Sequence, residues 1–198
     1  FMLVSFSCLG TAGLRPLSLL IQGNMKTFVG IDPGAKGFIT AIFPDGRMKF
    51  AAIADMDEQA LFLFLRSIKD MSEQVTAVME DIHAVFGSSA KATFSFGEIK
   101  GLLRGFLIAG KIPYTLIPPK TWQKEIWTTP DVVSSTETVH RKDGEAKVRK
   151  IDTKATSINA ARRLFPDVDL RKGERSKKPD DNKVDSMLMA EYARRKNL

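Results

Sequence analysis

Thr27-Phe28-Val29-Gly30-Ile31-Asp32-Pro33-Gly34 is the stretch on which the reading of this chain turns. A short run of strand character ends in an Asp-Pro-Gly turn, so Asp32 stands at the carboxyl end of a strand with its side chain aimed at the sheet edge. Taken alone, an Asp before Pro-Gly is a turn residue. The sequence that follows gives it company. Gly37 to Phe43 is β-rich, Pro44-Asp45-Gly46 is a hairpin turn, and Arg47 to Ile53 alternates, which predicts an antiparallel three-stranded meander.

Beyond the meander, helices and strands alternate. Leu61, Phe62, Leu65 and Ile68 recur at helical spacing behind Asp57 and Glu58, which suit a first turn, so Asp57 to Lys69 predicts an amphipathic helix. Val75 to Ile82 reads as a buried strand and Phe94 to Ala109 as a helix. Tyr114 to Ile117 reads as a strand closed by Pro118-Pro119, and Thr121 to Trp127 as a short helix. Thr128 to Lys150 is polar, lacks apolar periodicity and carries Arg141, Lys142, Lys147, Arg149 and Lys150, which predicts a mobile loop. Asp152 to Leu164 is helical and Arg171 to Lys178 is a second basic run. A closing helix, Val184 to Arg195, follows Pro179-Asp180, with Asp180 as its N-cap. Strands followed by alternating helices and strands indicate an α/β protein.

A chain of 198 residues fits one domain. Its net charge of +7 leaves uncompensated Lys and Arg on the surface and favours a polyanionic partner, nucleic acid above all. The single Cys8 excludes an internal disulfide framework and a Cys-based zinc site, and two His leave little for a His-rich one; oxygen-liganded metals remain. No apolar run reaches the length of a membrane span, so no membrane partner is expected. Residues 1–24 contain no acidic residue, and their one base, Arg15, lies inside the apolar run rather than ahead of it, the wrong order for a secretory signal. They read as an extension outside the fold, which is expected over 25–198 with Met25 as its start; an organelle-targeting segment is the other reading.

Three more carboxylates join Asp32. Glu80 ends a strand otherwise made of Val75, Ala77, Val78 and Met79, and burying an unpaired carboxylate costs several kcal/mol unless it binds a cation or a donor. Asp181 and Asp185 lie four residues apart on the closing helix, hence on one face. Asp181 also suits the positive end of the helix dipole. Asp185 sits a turn further in, beside Val184, Met187 and Leu188, where a structural helix places apolar residues. Four carboxylates from distant parts of the chain suit two hard cations about 4 Å apart, a clamp for in-line attack on a phosphodiester.

Gly30-Ile31-Asp32-Pro33-Gly34 opening a meander, Val78-Met79-Glu80 ending a strand, Pro119-Lys120-Thr121-Trp122, and Asp181-Asn182-Lys183-Val184-Asp185-Ser186 on the last helix form an ordered set. In order and spacing it resembles the RuvC-type Holliday junction resolvases, especially their divergent phage and organellar branch, over nearly all of 25–198. The resemblance implies an RNase H-like α/β fold: a mixed five-stranded sheet, an antiparallel meander plus parallel strands, flanked by helices. It implies a homodimer that nicks opposed strands of a four-way DNA junction using two Mg²⁺ ions, for which Mn²⁺ can substitute. A cytoplasmic location in a bacterial or phage-infected cell goes with it.

The family's first, second and last acids map to Asp32, Glu80 and Asp185. For the third, many members carry an acid or His where this chain has Asn182, and others have the acid one residue earlier, matching Asp181. Lys120 and Lys154 align with phosphate-contacting lysines. Phe86 falls where the family places an aromatic wedge for the junction centre. Arg171, Lys172, Lys177 and Lys178 are further candidate DNA contacts.

Three other readings compete. Actin-like ATPases also open with a strand and an Asp-Gly turn, but they need two lobes, and this chain is too short for both. A non-catalytic DNA-binding module on the same fold is disfavoured by acids at all four positions. A structure-selective nuclease acting on flaps or forks keeps the chemistry and is not separated from a junction resolvase by these residues.

Overall fold

The computed structural model describes residues 26–82, 89–141 and 144–198, with the backbone alone over 139–141 and 144–146. The reading of 1–24 and the assignment of Phe86 lie outside the described residues. Five strands form one mixed sheet: β1 (Lys26–Ile31), β2 (Phe38–Ile42), β3 (Met48–Ala52), β4 (Gln74–Glu80) and β5 (Tyr114–Ile117), in the spatial order β3-β2-β1-β4-β5. The meander β1-β2-β3 is antiparallel as expected, whereas β4 and β5 run parallel to β1. The parallel connections are helical crossovers, α1 (Glu58–Asp70) and α2 (Ala90–Ala109).

Alternation along the strands sorts their side chains onto two faces. Val29, Ile31, Val75, Ala77 and Met79 pack with Leu61, Leu65 and Ile68 of α1 and Leu103 and Leu107 of α2. Phe28 and Val78 point the other way, into a second core. That core is closed by α3 (Pro119–Ile126), α4 (Thr153–Leu164) and α5 (Asp181–Lys196), through Trp122, Ala160, Val184, Met187 and Leu188 among others.

The contact that positions the site is between β1 and α5. A Cβ on Gly30 would lie 2.0 Å from the Ser186 carbonyl oxygen and 2.5 Å from the Ala190 nitrogen, so the helix backbone rests directly on the strand and only glycine fits. Thr40 of β2 and Ser186 of α5 share a buried hydroxyl–hydroxyl bond of 2.7 Å beside this contact.

Helix ends follow their capping chemistry. Asp57, Asp152 and Asp180 accept from the amides of Ala60, Ala155 and Lys183. Two helices begin earlier than their apolar periodicity suggests. Ser89 caps α2 at Ala90 rather than Phe94, because the first turn of α2 is exposed and needs no apolar residue, and α5 starts at Asp181, directly behind its Asp180 cap and ahead of its apolar run at Val184.

The expected loop at Thr128 to Lys150 is a correction. Over most of its length it is an antiparallel hairpin of β6 (Ser134–Arg141) and β7 (Gly144–Ile151). Apolar alternation is missing because the side chains of 134–138 are exposed, so no buried face has to be patterned.

Candidate active site

The parallel register pairs Gly30 with Val78 and Ile31 with Met79. One residue further on, Asp32 and Glu80 stand at the carboxyl ends of neighbouring strands, whose backbones run roughly 5 Å apart. Since Ile31 and Met79 belong to the α1/α2 core, Asp32 and Glu80 fall on the opposite face, beneath α5. The carboxyl ends of parallel strands are where open α/β sheets place their ligands. The Gly30 contact sets the height of α5 above this edge, and its first two turns carry Asp181 and Asp185 across it.

The four acids sense one another. Burial, with the Glu80 charge added to it, pushes Asp32 up to about 7, against a bond from the Gly34 amide. Asp185 is pushed up to about 8, chiefly by burial; the Ser157 hydroxyl opposes the rise, while Asp32, Glu80 and Asp181 add to it. Its Oδ1 is buried without a hydrogen-bond partner among the described residues. Burial also raises Glu80, offset by the Trp122 indole and the Lys100 ammonium. Burial acts upward on Asp181 too, but the Lys154 ammonium outweighs it and holds Asp181 below the usual range.

Each acid thus has a different local partner. Trp122 donates its indole N–H to Glu80 Oε1 at 3.1 Å, Lys154 is ion-paired with Asp181, and Asp185 Oδ1 has no donor. Among the described residues no three acids or histidines close around one point. The donor set is nevertheless all oxygen, and a buried carboxylate oxygen without a donor is what a hard divalent cation satisfies, so these residues fit Mg²⁺ or Mn²⁺ in their chemistry.

Trp122 has a role that its sequence context left unassigned. It is fully buried, lies in α3 immediately after β5, and reaches the end of β4 across the Glu80–Ile117 pair. A buried Trp on a short helix needs a partner for its N–H, and that need is the signal. Ser157 of α4 plays the matching part for Asp185.

The candidate DNA-contacting residues separate into two groups. Lys154 joins the acids, and Lys120 is exposed in the first turn of α3, two residues before Trp122. Arg171 is paired with Asp169 at 2.7 Å and Lys172 with Asp55 at 2.8 Å. Lys177 and Lys178 are exposed, with no ion pair to a described residue. The basic run Arg171 to Lys178 is drawn together by a bridge between Arg171 and Pro179, and the buried Lys183 donates to the carbonyls of Asp169 and Arg171 beneath it.

As a whole, this fold is similar to solved structures. A structure of Thermus thermophilus RuvC in complex with a Holliday junction substrate superposes with a TM-score of 0.50 at 8% identity, covering 86% of this chain and 96% of that one. The fold is RuvC-like. A second Thermus thermophilus RuvC structure gives 0.48 at 11% identity over the same shares. No protein-family model matches the chain, and no curated protein does. The RuvC-like fold is present here at 8% sequence identity. Among the described residues no helix is long and apolar enough to cross a membrane.

Proposed function

We propose that the protein is a divalent-metal-dependent endonuclease that hydrolyses phosphodiesters in branched DNA, four-way junctions foremost, and that it acts as a homodimer. The observation that carries the reading is Asp185, a carboxylate on α5 beside Asp32 and Glu80 with one buried oxygen that has no donor among the described residues. A fold gains nothing from such a group unless a ligand completes it.

Asp32, Glu80, Asp181 and Asp185 would hold two Mg²⁺ or Mn²⁺ ions, which when bound supply an activated water and charge compensation at the leaving oxygen. Trp122 fixes the rotamer of Glu80 through its indole N–H. Lys154, once released from Asp181, supplies a cation for the incoming phosphate, and exposed Lys120 in the first turn of α3 supplies another. The net positive charge offsets the repulsion between four acids and DNA.

For the dimer, support comes from α2. Gly97, Gly101 and Gly105 recur every fourth residue, and a Cβ at any of them would meet nothing within 4 Å, so the stripe does not serve packing on the protein's own sheet. Phe94 and Ile108, 73% and 65% exposed, lie on the same side of this helix, where a second copy would cover them. Sedimentation at micromolar concentration that shows only a monomer, with and without junction DNA, counts decisively against this part.

Catalysis is tested with Asp32→Asn, Glu80→Gln and Asp185→Asn. Each should lower junction cleavage on the order of 10³-fold or more while binding in chelator is retained, because Lys and Arg carry binding whereas every carboxylate is needed to place the ions. Wild-type-like cleavage by Asp32→Asn, or full activity in excess chelator, sinks the assignment. Cleavage rates on four-way, three-way, flap and linear DNA then decide between a junction resolvase and a flap or fork nuclease.

A further inference from the structure

The β6–β7 ribbon is unused by the chemistry above, and its two faces differ. The backbone register places Thr136 opposite Arg149 and Thr138 opposite Lys147, so these four share one face, with the Ser134–Ile151 pair at its base and the His140–Glu145 pair toward its tip. Glu137 and Ser135 share the other face with Val148 and Lys150.

That second face is electrically closed, since Lys150 donates to Glu137 Oε1 at 3.1 Å. The first is open. Arg149 donates its Nε–H to Ser134 Oγ at 2.8 Å and keeps its charge, and no ion pair joins Lys147 or Arg149 to a described side chain. Thr136, Thr138, Lys147 and Arg149 are all exposed.

The root of the ribbon is tied to the carboxylate site. The Val133 amide donates to Thr156 Oγ1 at 3.1 Å, and the Val133 carbonyl accepts from the Asp152 amide at 2.9 Å. Asp152 caps α4, and Lys154, two residues on, is the partner of Asp181. From that root each strand runs 8 residues, a reach of about 26 Å at roughly 3.3 Å per residue.

A two-stranded ribbon is the other element besides a helix that the B-DNA major groove admits, the groove being about 12 Å wide. Hydroxyls and free cations on one face are the groups that meet base edges and phosphates there. We propose that the Thr136, Thr138, Lys147 and Arg149 face docks in the major groove of a B-form DNA arm adjoining the cleavage site. Lys147 and Arg149 hold phosphates and the threonines face the base edges. The inference rests on the DNA-directed reading above but not on cleavage. An A-form RNA duplex, whose major groove is deep and narrow, cannot accept the ribbon.

The test uses the full-length protein in chelator, so that binding is read without cleavage, on a DNA four-way junction, a DNA duplex and an RNA duplex of matched length. K147A/R149A should bind both DNAs roughly 10- to 100-fold more weakly near 0.1 M salt and flatten the log affinity against log salt slope by about two. E137Q/K150Q, which removes one charge of each sign from the opposite face, should change affinity by less than about twofold; circular dichroism confirms that both variants are folded. An unchanged slope for K147A/R149A, equal losses in the two variants, or an equal loss on RNA duplex overturns the docking. The nuclease reading fails separately, if the wild type cuts no branched DNA or Asp32→Asn still cuts it; the ribbon result stands in either case.

Discussion

Two carboxylates of this protein, each with at least part of its side chain in the interior, are treated in opposite ways. Asp131, between α3 and β6, receives two bonds from the Arg163 guanidinium at 3.0 and 2.7 Å and two more from the amide and hydroxyl of Thr128. These bonds, the Arg163 ones foremost, hold it down at about 2. Asp185 has the Ser157 hydroxyl on one side, nothing on Oδ1, and three like charges nearby, and is pushed up to about 8. Folding completes the first group and leaves the second incomplete. The contrast separates a carboxylate that serves the structure from one held ready for a ligand.

Stability measurements can break this contrast most sharply. Asp131→Ala removes the buried member of a pair whose Arg163 is exposed, with the hydrogen bonds it accepts, and should cost roughly 2 kcal/mol, read as a lower urea midpoint at neutral pH. Asp185→Asn should do the reverse in metal-free protein and stabilise it, on the order of 2 kcal/mol at pH 8, because it removes a group that burial disfavours. If both variants lose stability alike, Asp185 is a structural carboxylate after all.

The pH dependence sharpens the same point. A carboxyl whose folded pKa lies above its unfolded value keeps a proton that the unfolded chain releases. The contribution of Asp32 and Asp185 to the stability of metal-free protein is therefore greatest below the ordinary 3.8, falls as pH rises through the window up to about 8, and is level above it. Asp131 works with the opposite sign: its contribution is present above 3.8 and is lost as pH falls toward 2. Melting temperatures of metal-free wild type and Asp185→Asn between pH 4 and pH 9 should show the downward slope in the first and a shallower one in the second. Parallel curves count against the assigned cause.

Trp122→Phe keeps the ring and deletes the donor to Glu80, so Glu80 should titrate higher still. Cleavage should drop roughly tenfold at neutral pH and recover partly as pH rises, with stability lowered by about 1 kcal/mol. A pH–rate profile of unchanged shape means that Trp122 only fills space. The smallest effect belongs to the surface. Lys177→Gln with Lys178→Gln should flatten the salt dependence of junction binding by about two, whereas Arg171→Gln with Lys172→Gln should flatten it less, since those cations already have acid partners. Equal slopes for the two pairs would show that the Asp169 and Asp55 ion pairs open on DNA.

The five sheet strands were legible because each has at least one buried face, and burial imposes the period that sequence reading detects. The β6–β7 ribbon has no such face at 134–138, and Thr136, Thr138 and Val148, though good strand formers, read as loop. Asp185 stood out for the same reason in reverse, a charge where periodicity called for an apolar residue. Its neighbour Asp181 did not, since an acid in a first turn is ordinary. What no spacing could reveal was pairing across the fold. Lys154 with Asp181, Lys172 with Asp55 and Trp122 with Glu80 join residues between 27 and 117 positions apart, and only the tertiary packing of the chain brings them together.

At Gly30 the only atoms standing between a strand and the backbone of α5 are hydrogens. The spacing of the acids on either side of that contact is therefore inherited from the main chain, not from the side chains that line the rest of the interface. Substitutions at Met187, Met189 or Tyr192 would alter the filling of that interface while the main chain still sets how far Asp185 stands from Asp32.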